Sequence, residues 1–568
     1  MKSPITADSG AMLNAYPDSM GGTLADIAAL LARPELRGAF TSFYILPSLF
    51  HTDLDRGFSV IDYSLNQLLA APEDLDALRE QGIDLKLDFI LNHASVLSPQ
   101  FQDIIQNGEN SPYKDFFINW NKFWEGHGTM TPSGYIQPDD ALIQKMFFRK
   151  PGLPILMVRF PDRRDVPYWN TFYQEVRYPV LEPQELMHSL GMQYGIADAV
   201  CKLVNPALAS GVIPDDIAFG ALQQWKQPVV QLLESRRRYL GQMDLNIQSP
   251  LVWEFYDDTL RRLSEYGARI VRLDAFAYAP KEPGAHNFMN VPGTWDLLEK
   301  VQELANRYGL TLLPEIHASY GEKVYAQIAQ KGYMTYAFFL PGLIIDALEN
   351  ADGHFLQIWA QEQKCDGIRS VTMLGCHDGI PLLDLKGLVP DERIQNLIDT
   401  VVSRGGFVKD LHGAKNIYYQ VNATYYSALG EDDRKMLLAR ALHLFMPGKP
   451  QVWYLDLFAG KNDHEAVARA GAGGHKEINR TNLTMAQIED GLQRPVVQRQ
   501  LELLKWRNQF PAFGFDAQME FLCPAPGTIQ IIWRHLDHAA CLEADLRTGA
   551  FSIVGKDPSG ANCFTMHQ

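Results

Sequence analysis

The stretch DDTLRRLSEYGARIVRLDAFAY (residues 257–278) runs from an amphipathic segment through a glycine into a short apolar segment that ends on a carboxylate, Asp274. Apolar residues recur at helical spacing in its first half, and its second half is a compact branched run, so it reads as helix, turn and strand. The pattern recurs: WDLLEKVQELANRYG (295–309) leads into LTLLPEIHAS (310–319), and IRSVTMLGCHDG (368–379) supplies a further strand. Upstream, TLADIAALLARPEL precedes FTSFYILPSLF (40–50), and APEDLDALREQG (71–82) precedes IDLKLDFILNHAS (83–95). Alternating helix and strand signals are what parallel crossover units require, and their period predicts an α/β chain folded as a (β/α)₈ TIM barrel.

Three of these strands end in side chains with chemistry: Asp274, then Glu315 with His317, then His377 with Asp378. Asp274 and Glu315 are 41 residues apart and Glu315 and Asp378 are 63 apart, which is one barrel unit and then two. A single acid after a strand is often the cap of the next helix. Three such ends on a barrel would meet at its C-terminal rim, where barrel enzymes carry their active sites.

The barrel is expected in three pieces, 1–90, 249–378 and 431–510. An inserted rim domain at 91–248 follows strand 3 and includes an extra helical segment at 174–240. A second rim excursion is expected at 379–430 and a C-terminal antiparallel β domain at 511–568, where TIQIIWRHL, AACLEADLRT and FSIVG alternate with turn residues. Within the inserted segment the run Arg236, Arg237, Arg238 reads as a solvated helix face rather than a nucleic-acid patch. GAGGHKE (471–477) lacks the GxxxxGK[ST] order of a phosphate loop and reads as a loop beside Arg480.

The 568 residues are 46% hydrophobic and 21% charged, which excludes disordered, collagenous and coiled-coil classes. With 51 basic and 67 acidic residues the net charge is −16, which argues against a broad nucleic-acid or anionic-membrane partner while leaving small positive pockets open. Six cysteines with no CxxC pair fit a reducing compartment. No signal-like N-terminus and no apolar run of about 18 residues appear, so a cytoplasmic location is expected. Asp84, Asp88 and His93 lie near one strand without forming a convincing metal set, and no metal is expected.

Taken together, DRGFSVIDY (55–63), KLDFILNHAS (86–95), ARIVRLDAFAYAPKEPG (268–284), LLPEIHASY (312–320), GCHDGIP (375–381), LKGLVPDE (385–392), YYQVNATYYSALG (418–430), LFAGKND (457–463) and EINR (477–480) resemble the α-amylase-type glycoside hydrolase family 13, and within it the sucrose phosphorylase group. The resemblance covers 1–173 and 241–568, leaving roughly 174–240 as an insertion. It implies that Asp274 is the nucleophile, Glu315 the general acid/base and Asp378 the third carboxylate, which binds sugar hydroxyls. It further implies a sugar pocket of Arg272, His93, His317 and His377, with Phe58 and Phe172 against the sugar faces and Asp55 with Arg480 closing over the nonreducing end.

On the acceptor side the group places an Arg before PGLP, where FFRKPGLP puts Lys150, with Arg149 one position earlier; both are expected near phosphate. Tyr419 and Gln420 match the acceptor loop, while Ile417 stands where an Asp is typical. The implied reaction is reversible phosphorolysis of an α-glucoside to α-D-glucose 1-phosphate through a β-glucosyl enzyme. Sucrose is the first donor, and sucrose 6'-phosphate, glucosylglycerol and glucosylglycerate are alternatives. Hydrolysis or transglucosylation, and noncatalytic sugar binding, are the other classes. No cofactor is expected, since inorganic phosphate is a substrate; the partners are a small sugar and phosphate, with no nucleic acid or membrane, and a homodimer is compatible with the insertion.

Overall fold

The computed structural model describes residues 9–146, 148, 152–410, 418–471 and 474–568. Its centre is an eight-stranded parallel sheet made of β1 (Met12–Ala15), β2 (Ser42–Ile45), β3 (Asp84–Ile90), β4 (Ala268–Asp274), β5 (Thr311–Pro314), β6 (Thr335–Tyr336), β7 (Ser370–Met373) and β8 (Lys449–Trp453). The spatial order is β5-β4-β3-β2-β1-β8-β7-β6, so chain order and ring order coincide. The last two neighbours, β5 and β6, lie side by side without ladder bonds, and the barrel is nearly closed.

Amphipathic helices return the chain between strands. In Pro250–Glu265, Pro250 opens the helix, where a missing N–H costs nothing, and Val252, Tyr256, Leu260 and Leu263 form its buried stripe ahead of β4. Leu297, Leu298, Val301 and Ala305 do the same on Gly293–Arg307 ahead of β5. Two runs expected as single strands are divided. Pro47 opens a short 3₁₀ turn between β2 and the strand Phe50–Leu54, and β3 stops at Ile90 before a separate strand, His93–Ser95. Proline supplies no ladder donor, which explains the first break.

The barrel interior is polar. Lys86 on β3 is fully buried; its ammonium donates to Tyr336 on β6 and to Gln451 Oε1 on β8 at 2.7 Å, and lies 3.8 Å from the centre of the Tyr44 ring on β2. Four strands are thereby tied across the ring, including one flanking the open seam. At the N-terminal ends of the strands, a cavity of about 720 Å³ lies beside that seam, lined among others by Leu310, Leu312, Tyr333, Met334 and Phe515. None of the candidate catalytic carboxylates lines it.

Between β3 and the helix before β4 the chain builds a three-stranded sheet in the order Gln174–Arg177, Arg238–Asp244, His93–Ser95, and a hairpin of Ile155–Arg159 with Asp165–Trp169. The segment expected to be helical over 174–240 therefore begins and ends as strand, with Arg177 paired to Arg238. The partner strands are some sixty residues apart, a pairing that local periodicity does not register. Only Pro183–Leu190, Tyr194–Ala209 and Gln223–Ser235 are helical, and they close on a small core of their own that includes Leu186, Val200, Val204, Val229 and Leu233. The arginine run is not a helix face: the helix ends at Ser235, Arg236 pairs with Glu185, Arg237 pairs with Glu234 and Asp165, and Arg238 opens the strand Arg238–Asp244.

In 379–430, a helix (Asp391–Ser403) and a short hairpin (Phe407–Asp410 with Tyr418–Asn422) stand at the rim. The C-terminal sheet is a five-stranded antiparallel meander. Ile529, Ile531 and Trp533 alternate inward from one of its strands, and Trp533 Nε1 donates to the Phe445 carbonyl at 2.9 Å, so one continuous apolar core spans barrel and sheet. No helix among the described residues is long and apolar enough to cross a membrane.

Candidate active site

Asp274 ends β4, Glu315 follows β5 by one residue, and His377 and Asp378 follow β7, so all lie at the C-terminal rim. Arg272 precedes Asp274 by two residues and therefore faces the same side of β4. Its Nη1 donates to Asp274 Oδ1 at 2.9 Å and to Asp88 Oδ1 at 2.6 Å, and its Nη2 lies 2.9 Å from Glu315 Oε1. Asp88 is the registered partner of Arg272 on β3 and is also held by the Tyr44 hydroxyl at 2.8 Å. One guanidinium thus holds two candidate catalytic carboxyls at 2.9 Å each.

These two carboxyls are shifted in opposite directions. Burial, reinforced by Glu315, Asp88 and Asp378, raises Asp274 to about 8 against the pull of Arg272. Burial also raises Glu315, but Arg272 and His317 outweigh it and bring that group to about 2. Between those limits the pair carries one proton, held on Asp274 in this geometry, whereas glucosyl transfer needs it on Glu315. Asp378 is likewise desolvated, yet His377 and Lys476 hold it well below the usual carboxylate range.

The imidazoles divide into two kinds. Burial lowers His93 and His377, which are neutral around pH 7. His93 Nε2 stands 3.0 Å from the Phe58 carbonyl, its ring 4.9 Å from Phe172; His377 is stacked on Phe58 at 4.9 Å, with Nε2 3.1 Å from Asp378 Oδ2. His317 is different. Burial opposes its charge, but Asp384, 3.2 Å from Nδ1, and Glu315, 3.4 Å from Nε2, raise it to about 10. It is an imidazolium beside the acid/base candidate, stacked on Phe338 at 4.0 Å.

At the mouth, Asp55 and Arg56 both take positive φ (47° and 48°), followed by Gly57 at 124°. A side chain at Gly57 would meet the Ser48 backbone nitrogen at 2.4 Å, so the turn needs glycine. Two successive non-glycine residues in this region store strain that Arg56 offsets through Asp18, Asn482 and the Arg480 carbonyl. The turn brings Asp55 to 3.6 Å from Arg480 Nη1 and 3.8 Å from Lys476 Nζ.

The loop carrying Asp378 is held atom by atom. Gly375 N donates to Asp456, Asn479 donates to the Cys376 carbonyl at 2.8 Å, Arg480 Nε to that of His377 at 3.0 Å, and Asn422 to that of Asp378 at 2.8 Å. Gly379, at φ 112°, admits no side chain because Val421 O would lie 2.7 Å away.

The structure thus brings together Asp55, Phe58, His93, Phe172, Arg272, Asp274, Glu315, His317, His377, Asp378 and Arg480. Gln420 is buried on the strand Tyr418–Asn422, where Tyr419 is described as a backbone position only. Arg149, Lys150 and Ile417 lie outside the described residues. Sequence reasoning missed Asp88, Asp384, Asn422, Asp456, Lys476 and Asn479 as site residues. Asp88 was findable, being two residues inward from Ile90 on the strand beside Arg272; the others act on their partners from 44 to 103 positions away.

No family model matches the chain. The sucrose 6(F)-phosphate phosphorylase of Ilumatobacter coccineus is 49% identical over 96% of this chain and 95% of its own. The sucrose phosphorylase of Streptococcus mutans is 30% identical over 96% and 97%. The crystal structure of sucrose 6F-phosphate phosphorylase from Thermoanaerobacter thermosaccharolyticum superposes with a TM-score of 0.81 at 29% identity, covering 99% of this chain and 98% of that one. With this barrel, this rim and relatives similar over nearly their whole length, the chain belongs to the sucrose phosphorylase group of glucoside phosphorylases, within glycoside hydrolase family 13.

Proposed function

We propose that the chain catalyses reversible phosphorolysis of a sucrose-type α-glucoside, giving α-D-glucose 1-phosphate. The observation that carries this reading is the Arg272 guanidinium placed on both Asp274 and Glu315, in a chain of this family. With the pair's single proton moved from Asp274 to Glu315 as the sugar binds, the Asp274 carboxylate attacks C1, the bond from C1 to the aglycone oxygen breaks, and that oxygen takes the proton from Glu315. The product is a β-glucosyl ester. A phosphate oxygen then attacks C1 and displaces Asp274, while the Glu315 carboxylate takes the phosphate proton; two inversions retain the α configuration. Asp378 and the neutral His93 and His377 would bind sugar hydroxyls, with Phe58 and Phe172 against the ring. Asp55 and Arg480 would close the nonreducing end and restrict the site to one terminal glucosyl unit. Arg149 and Lys150 would attract phosphate. No cofactor enters the scheme.

Sucrose is the donor inferred first. A second reading, sucrose 6'-phosphate, is favoured by the His317 imidazolium beside Glu315 and by the Ilumatobacter relative's name. An anionic aglycone would gain from that cation where neutral fructose would not. The test is formation of glucose 1-phosphate from each donor, with and without phosphate. Absence of glucose 1-phosphate from both would overturn phosphorolysis of sucrose-type donors, and a clear preference for the phosphorylated donor would select the second reading. We further propose a cytoplasmic enzyme, supported by six free cysteines, and a homodimer in contact through the helical insertion, supported by exposed Val180, Met187, Tyr194 and Ile213 there.

A further inference from the structure

The glucosyl pocket holds a cation that the scheme above leaves without a task. Lys476 lies on the short 3₁₀ turn His475–Asn479, four residues before Arg480. Its ammonium is 2.6 Å from Asp378 Oδ1 and 3.8 Å from Asp55 Oδ2, and His377 Nε2 is 3.1 Å from the other Asp378 oxygen. Both oxygens of Asp378 are thereby engaged from within the protein. Each oxygen keeps a further acceptor site, so a sugar hydroxyl can donate to this carboxylate beside the ammonium.

The two cations at the mouth are not equivalent. Arg480 is fixed, its Nε bonded to the His377 carbonyl and its side chain 2% exposed. Lys476 has a flexible stem with three rotatable donors and is 24% exposed. It can leave Asp378 and keep a counter-charge, because Asp55 is already beside it. The flanking carboxylates also define what it can bind: Asp55 and Asp378 repel a phosphate dianion, while a neutral hydroxyl accepts from the ammonium and donates to Asp378 at once.

We propose that Lys476 is a sugar-binding residue. A hydroxyl on the nonreducing side of the glucosyl unit donates to Asp378, and the ammonium, held between Asp55 and Asp378, donates to the hydroxyl oxygen. Closure over the sugar is then the work of three groups, Asp55, Arg480 and Lys476. The inference rests on the glucosyl-transfer reading but not on the aglycone.

It is tested with α-D-glucosyl fluoride and its 3-deoxy and 4-deoxy analogues, with phosphate as acceptor, on the wild-type chain and the Lys476→Met and Lys476→Gln variants. Loss of a charge-assisted bond is expected to lower kcat/KM of the parent fluoride roughly 10- to 100-fold in Lys476→Met. Lys476→Gln, which keeps an N–H donor and removes the charge, is expected between that variant and wild type. For one deoxy analogue the two changes should not multiply, since variant and analogue remove the same bond. A parent kcat/KM within twofold of wild type in Lys476→Met, or penalties that multiply fully for both analogues, overturns the proposal. Wild-type failure to use the parent fluoride overturns the glucosyl-transfer reading itself, and so separates the two failures.

Discussion

At the scale of the residue, the proposed chemistry turns on the one proton that the Asp274 and Glu315 pair carries. The pair retains it up to about 8, the value to which Asp274 is raised. A group with a raised pKa keeps its proton below that value and loses it above, so beyond pH 8 both carboxyls are ionised and no acid remains for the aglycone oxygen. The expected profile of donor kcat/KM for sucrose falls about tenfold per pH unit above 8. With α-glucosyl fluoride, whose leaving group needs no proton, the alkaline limb should flatten; equal limbs for both donors would mean that this proton is not the one delivered. Asp274, Glu315 and Asp378 were legible because each stands at the end of a short apolar strand. The groups that set their charges were not: Asp384 acts on His317 from 67 positions along the chain and Lys476 on Asp378 from 98, distances at which no pattern links two side chains.

At the scale of the element, the loops of the rim are fastened to one another by a buried ion pair. Lys281, seven residues after Asp274, places its ammonium 2.7 Å from Asp244 Oδ2 and 2.9 Å from Asn92 Oδ1. Asp244 in turn accepts from the Thr171 backbone at 2.8 Å and from its hydroxyl at 2.6 Å. Thr171 and Asn92 are the immediate neighbours of Phe172 and His93, so this node sets where those two rings stand. Lys281→Met leaves Asp244 buried without its charge partner and is expected to cost about 3–5 kcal/mol, read as a lower urea midpoint, with kcat/KM falling as well. Unchanged stability would show that the node carries no net energy. Five barrel strands, β2, β3, β4, β5 and β7, were readable as compact apolar runs and the helices ahead of β2 to β5 from their 3.6 period, while β1, β6 and β8 are too short or too polar to register. The strand Arg238–Asp244 was not: its charged start continues the preceding helix by composition, and its partners lie far off in sequence.

At the scale of the molecule, the net charge of −16 confines positive potential to small pockets, which suits a small anionic substrate rather than a polymer. The insertion leaves and re-enters the sheet across the adjacent pair Arg177 and Arg238, so excision does not open the barrel. Replacing residues 178–237 by Asn-Gly, a two-residue hairpin connection, is expected to leave the fold intact and glucosyl-fluoride turnover within a few-fold of the full chain. Light scattering on the same variant is expected to show a monomer, and retention of a dimer would remove the insertion as the subunit contact. The central claim, glucosyl transfer through Asp274, is tested most directly by intact-mass and peptide analysis of the Glu315→Gln variant exposed to α-glucosyl fluoride without phosphate. The expected result is a gain of one glucosyl unit on the peptide containing Asp274, discharged as α-D-glucose 1-phosphate when phosphate is added; an adduct on another residue, or discharge to the β anomer, would contradict it.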